Sequence, residues 1–258
     1  MDIKNAFWKS LVLASFGLSA TSLYVVTRPD PQPQVQQVQQ PALTERDVVL
    51  TVDARIKELE RRRAKSGLDA LKSQYALAPV SGTDKRLYGN VGSRVTLREF
   101  SDLECPWCKK MHQDLKKVVD GSQGVINWEF MHYPLGRHNP VAANEAMAVE
   151  CVANQYDNRT AWAFMDKVFD QTLSNGRGAD IPKLAQSLGL NGTRLQNCIT
   201  TAPHREVIHQ NFSSGKQKGV TATPAIELVD NQTGRTAMIK GYKTPEQLLQ
   251  AIQSFLSS

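Results

Sequence analysis

Between Arg94 and Gly121 the sequence changes its periodicity, and two cysteines sit at the join. Val95-Thr96-Leu97-Arg98-Glu99-Phe100 alternates, with β-branched or aromatic residues on one side, which is the pattern of a strand. Ser101 and Asp102 break that pattern. Cys105-Pro106-Trp107-Cys108 then opens the polar–apolar run KKMHQDLKKVVD, stopped by Gly121, so the spacing predicts a helix that begins at the cysteines. A strand, a short loop and a Cys-x-x-Cys at a helix N-terminus form the context in which this motif carries thiol redox chemistry. Unpaired backbone N–H groups and the positive end of the helix stabilise a thiolate on the first cysteine. Cys105 is therefore expected to be the exposed nucleophile, with Cys108, one turn in, as the resolving thiol that closes an intramolecular disulfide. Lys109 and Lys110 either add positive charge nearby or are ordinary solvated helix residues.

Other uses of the motif fit less well. A zinc site draws on two Cys-x-x-Cys pairs or on added histidine, and the chain has one such pair. A four-ligand set of Cys105, Cys108, Cys151 and Cys198 is possible, although an exported protein favours disulfides. Haem attachment needs a histidine directly after the second cysteine, where this chain has Lys109. His112, His132, His138, His204 and His209 show no metal-ligand spacing, so no metal and no organic cofactor is expected.

The chain has 258 residues, 41% of them hydrophobic, enough for one substantial domain with accessories. Lys+Arg 31 against Asp+Glu 25 leaves +6, a mild and scattered excess that reads as a soluble basic surface rather than a nucleic-acid site. No Gly-rich phosphate loop occurs in a strand-to-helix context, so nucleotide chemistry has no support.

The first eighty residues read as delivery apparatus. Ser10 to Thr27 carries no charge and is bracketed by Lys9 and Arg28. As a helix it spans roughly 27 Å, just short of a ~30 Å hydrocarbon core. Lys4 and Lys9 keep its start in the cytoplasm. Leu18-Ser19-Ala20 is a poor cleavage site and Val25-Val26 continue the apolar run, so residues 1–28 read as an uncleaved signal anchor rather than a removed signal peptide. Residues 29–42 form a Pro/Gln-rich linker, with four prolines, six glutamines and one charge from Pro29 to Pro41. Residues 43–80 form a helical segment. In it, Leu43 to about Lys65 makes one helix and Leu68 to Leu77 a further one, ended by Pro79. Val49, Val52, Ile56 and Leu59 keep a 3-4-3 spacing, while Asp53/Lys57 and Glu58/Arg62 are favourable pairs. That seam serves either homo-oligomerisation through residues 43–66 or packing on the chain's own domain.

Three stretches resemble the DsbA-like thiol-disulfide oxidoreductases of the thioredoxin superfamily: FSDLECPWCKKMH at 100–112, HNPVAANEAMAVECVANQ at 138–155 followed by AWAFMDKVF at 161–169, and GVTATPAIEL at 219–228. The resemblance covers about residues 86–256. It implies an α/β thioredoxin fold over 81–258 with a helical insertion at about 136–200. It also implies that Thr223-Pro224 is the family's cis-proline loop, packed beside the cysteines and able to pair with substrate backbone; a plain trans-proline turn is the alternative. Glu99, six residues before Cys105, resembles the buried acid that relays protons for the resolving cysteine, against an edge-exposed strand glutamate. Cys151 and Cys198 have no partner within Cys-x-x-Cys distance. In an oxidising compartment they form a structural disulfide, as in some DsbA-like proteins, or else remain two buried thiols. Trp107 departs from the strongly oxidising members, which carry Pro-His between the cysteines.

The expectation is thus a periplasmic thiol-disulfide oxidoreductase on the bacterial inner membrane, single-pass, acting on exported proteins and recharged by a membrane redox partner. The alternatives are an oligomeric isomerase or reductase, and a chaperone-like peptide-binding scaffold in an envelope assembly.

Overall fold

The computed structural model describes residues 44–80 and 86–257. The apolar stretch 10–27 and the linker 29–42 lie outside the described residues. Among the described residues no helix is long and apolar enough to cross a membrane.

The first described element is α1 (Glu45–Gln74), one continuous helix where the sequence suggested two. Gly67 does not break it, because the helix there lies open to solvent with no neighbour forcing a bend. Its C-terminal turns are anchored by buried Leu71 and Tyr75. Towards its start Val49, Val52, Ile56 and Leu59 stay 48–65% exposed, so the seam does not pack on the chain's own domain. Asp53–Lys57 and Glu58–Arg62 form ion pairs along it.

A five-stranded mixed sheet follows, from β1 (Arg86–Tyr88), β2 (Val95–Ser101), β3 (Ile126–His132), β4 (Ala225–Asp230) and β5 (Thr236–Lys240). Its order is β1-β3-β2-β4-β5. Strands β2 and β3 are parallel, joined by the crossover helix α2 (Pro106–Gly121), and the other pairings are antiparallel. Between β3 and β4 lie α3 (Val141–Gln155), α4 (Asn158–Gln171), α5 (Ile181–Ser187), α6 (Gly192–Thr201) and α7 (Arg205–Gln217); α8 (Pro245–Ser257) closes the chain.

Central strand β2 is covered on both faces, and its period of two sorts the core. Val95 and Leu97 join Trp128, Phe130, Ile226 and Leu228 in the large cluster that also takes in α2, α8 and the inserted helices. Phe100 points to the other face, into a smaller cluster with Met131, Tyr133, Val220 and Ala225. There α7 lies flat on the sheet because Gly215 has no side chain: a Cβ would meet the Tyr133 ring at 2.6 Å. A disulfide between Cys151 of α3 and Cys198 of α6 ties the inserted helices together.

Candidate active site

Strand β2 ends at Ser101, and the chain turns tightly through Asp102-Leu103-Glu104 before α2 begins. Cys105 N–H donates to Asp102 O at 3.0 Å, which closes the turn. Cys105 is the N-cap of α2, in an extended conformation (φ −89°, ψ 121°), and Pro106 fills the first helical position, where a missing N–H costs nothing. Both cysteines of the motif are free thiols. Cys108 is fully buried in the main core, where a helix with Met111, Leu115, Val118 and Val119 on the same face must place it.

Cys105 corrects the expectation of an exposed nucleophile: the residue is only 3% exposed. The Thr223-Pro224 peptide is cis, and this loop lies against the cysteine, with Cys105 Sγ donating to Thr223 O at 3.5 Å. The residue that faces solvent is Trp107, 57% exposed, its ring 5.8 Å from that of Tyr242. Approach to Cys105 is thus framed by an indole and by the backbone that precedes β4.

The electrostatics separate the two sulfurs. The Cys108 thiol hydrogen-bonded to Cys105, together with backbone N–H groups of the first helical turn and the Thr223 side chain, brings Cys105 down to about 6 against the cost of burial. Burial pushes Cys108 well up, and the Cys105 charge beside it adds to that; the Asp102 backbone N–H, 3.5 Å from Cys108 Sγ, works the other way. The principal support for the thiolate is therefore hydrogen bonding rather than Lys109 or Lys110. Lys109 Nζ is bonded to Asp170 O, and Lys110 Nζ lies 4.4 Å from the centre of the Tyr242 ring.

Glu99 lies on the β2 face that carries Val95 and Leu97, beneath α2, and is fully buried. Ser101 Oγ donates to its Oε1 at 2.9 Å and Trp128 Nε1 to its Oε2 at 3.1 Å. Burial outweighs both bonds and holds its carboxyl up to about 8. The site therefore contains a low thiol, a high thiol and a high carboxyl.

His112, His132 and His138 are buried. His112 sits among Tyr75, Trp128, Trp162 and Phe169, and burial drives it down to about 3. Among the described residues one group of three has metal-ligand proximity, Cys151, Cys198 and His204. Its two sulfurs are spent in the disulfide, which also removes them from any four-cysteine set with Cys105 and Cys108.

Three features escaped sequence reasoning. Asn139-Pro140 is a second cis peptide. The carboxylates of Asp102 and Glu104, which precede the motif, are both buried. They reach residues more than thirty positions away, His138 for Asp102 and Thr172, Gly176 and Gly178 for Glu104. Such partners leave no local periodic signal.

Comparison with known proteins agrees with this geometry. A family model described as thioredoxin matches residues 81–254. The crystal structure of Pseudomonas aeruginosa DsbA2 is 33% identical, superposes with a TM-score of 0.60, and aligns over 68% of this chain and 96% of that one. Oxidised BdbD from Bacillus subtilis shares the fold at 20% identity, with a TM-score of 0.58 over 69% of this chain and 96% of that one. The thiol:disulfide interchange protein DsbC of Dickeya dadantii is 23% identical over 191 residues, 74% of this chain, and the match spans 60% of that relative's length. The chain belongs to the thioredoxin family, among its DsbA-type thiol-disulfide oxidoreductases.

Proposed function

We propose that this protein exchanges disulfides with exported protein substrates in the periplasm, using Cys105 as nucleophile and Cys108 as resolving thiol. The observation that carries the reading is the opposed tuning of the two sulfurs, Cys105 down to about 6 and Cys108 well up. At neutral pH only Cys105 is largely a thiolate, so it attacks first.

In the reducing direction Cys105 S⁻ attacks one sulfur of a substrate disulfide, and the substrate's other sulfur leaves as a thiolate. Cys108 then gives its proton to the Glu99 carboxylate and attacks Cys105 Sγ. The Cys105–Cys108 bond forms and the remaining substrate sulfur departs with its electron pair. The oxidising direction runs the same steps in reverse, with Glu99 returning the proton. Glu99 suits the task because a carboxyl held near 8 accepts and releases a proton close to neutrality. Thr223 and Pro224, just before β4, place backbone next to Cys105, where a substrate peptide can pair in the manner of an added strand. Pro106 and Trp107 shape the mouth of the site. The two sulfurs carry the electrons. Residues 10–27 anchor the protein in the inner membrane, and a membrane thiol-disulfide partner resets the cysteines.

One observation favours a second task for the same chemistry. The α1 seam of Val49, Val52, Ile56 and Leu59 is exposed, and self-association through it would bring several Cys-x-x-Cys sites to one substrate, as isomerisation or reduction uses.

The test is the equilibrium potential of Cys105/Cys108 in glutathione buffers, with turnover of a reduced, unfolded protein by the full-length chain and its Cys105→Ala variant. Turnover that is lost in the variant supports exchange, and turnover that survives it refutes the assignment. A potential near about −120 mV marks an oxidase, and one below about −180 mV with an oligomer marks an isomerase or reductase.

A further inference from the structure

We infer that Asp102, held by His138, is a positioning residue for the resolving step: it aims its own backbone N–H at Cys108 Sγ and so supports the thiolate on the otherwise desolvated sulfur. The inference rests on the assignment of Cys108 as resolving thiol. It adds to that assignment two residues that no part of the exchange scheme above employs.

Asp102 is 1% exposed and makes five contacts that together fix its backbone. Oδ1 accepts from Glu104 N at 2.8 Å, and the Asp102 carbonyl accepts from Cys105 N at 3.0 Å, so side chain and main chain shape the same turn. Oδ2 accepts from Leu135 N at 2.7 Å and from His138 Nδ1 at 2.8 Å, which fastens the turn to the segment after β3. The fifth contact is its own N–H, 3.5 Å from Cys108 Sγ. That N–H belongs to the Ser101–Asp102 peptide, whose carbonyl, Ser101 O, accepts from Tyr133 N at 2.7 Å, and with the Asp102 carboxylate and carbonyl held as well the plane has little freedom to turn the N–H away.

The tautomer of His138 follows from its neighbours. Arg137 Nε donates to His138 Nε2, so Nε2 is an acceptor and the proton sits on Nδ1, facing Asp102. His138 is itself 2% exposed. The pair spans the junction between the thioredoxin core and the inserted helices, which couples the resolving sulfur to the insertion.

When Cys108 S⁻ attacks Cys105 Sγ in a mixed disulfide, the Cys105–substrate bond breaks and the electron pair leaves on the substrate sulfur. Charge resides on Cys108 only before the attack, so a donor at that sulfur matters to this step and not to the first attack by Cys105. Hydrogen bonds to charged groups matter enough for the loss of this aim to slow resolution by about tenfold.

Rapid-mixing kinetics with a disulfide-bonded peptide separate the two steps in Asp102→Asn, His138→Ala and His138→Asn. Asparagine at 138 can still donate to Oδ2, and alanine cannot. The expected result is resolution slowed about tenfold in D102N and H138A, with its pH profile moved up by about one unit. Mixed-disulfide formation stays within about twofold, and H138N recovers most of the resolution rate. Resolution at the wild-type rate and pH in H138A, or formation and resolution falling together in both D102N and H138A, overturns the inference. A wild-type protein that forms no mixed disulfide fails earlier, and that result refutes the exchange chemistry itself.

Discussion

Replacing Cys108 by alanine and by serine separates hydrogen bonding from helix position as the origin of the Cys105 thiolate. With Cys105 at about 6, a thiol is about nine-tenths ionised at pH 7, against about one-hundredth at its ordinary value near 9.0. The largest support is the Cys108 thiol hydrogen-bonded to Cys105, ahead of the backbone donors of α2 and the Thr223 side chain. A hydrogen bond to a charged group is worth about 1.5–3 kcal/mol, or about one to two pKa units, and the smaller figure applies because a thiol is a weak donor. Cys108→Ala should therefore titrate near 7, roughly halving the thiolate at neutral pH. Cys108→Ser keeps a donor in the same place and should remain near 6. The assay is the rate of alkylation by iodoacetamide between pH 4 and 9, with thiolate absorbance at 240 nm as a second measure. The sign is that of a depressed acid. The stabilisation of the reduced form is complete above the unfolded thiol's value and is lost as pH falls through about 6. Alanine and serine variants that both titrate where the wild type does would refute the reasoning, because the helix terminus alone would then suffice.

The remaining predictions concern the proton relay, the second disulfide and the buried carboxyls. Glu99→Gln should leave the alkylation profile of Cys105 nearly unchanged but slow resolution below pH 8 by about tenfold or more, as measured by rapid mixing; equal loss in both steps argues against a relay. Removing Cys151–Cys198 by a double alanine substitution releases a loop of sequence separation 47, for which chain entropy gives about 4 kcal/mol, or roughly 8–16 °C in melting temperature. A fall of less than about 3 °C would show that helix packing alone holds α3 to α6. Burial, and then the Glu104 carboxylate beside it, hold Glu145 up to about 8. Its contribution is therefore fully present below the unfolded carboxyl's value and lost as pH rises through about 8. Urea midpoints of the oxidised protein should fall between pH 5 and 9, and Glu145→Gln should flatten that fall.

Local signals along the chain suffice for the strand, turn and helix that carry the two cysteines. Alternation over Val95–Phe100, the break at Ser101-Asp102 and the amphipathic run behind Cys105-Pro106-Trp107-Cys108 are local signals, read from periods of two and 3.6. The same local logic placed both cysteines in the first turn of a helix, where backbone donors favour a thiolate on Cys105. The resemblance supplied the loop at Thr223-Pro224 and the position of Glu99 as candidates, but not their surroundings. Tertiary structure decided those. Cys105 is buried because a loop more than a hundred residues away lies against it, and Glu99 is held up because β2 is the central strand, covered on both faces. The α1 helix runs unbroken past Gly67 because nothing packs there to bend it. The Asp102–His138 pair joins residues 36 positions apart through one carboxylate oxygen. Periodicity along a chain reports which face of an element is apolar. Which distant backbone or imidazole meets a given side chain depends on how the elements pack, and only the folded chain brings those atoms within hydrogen-bonding distance.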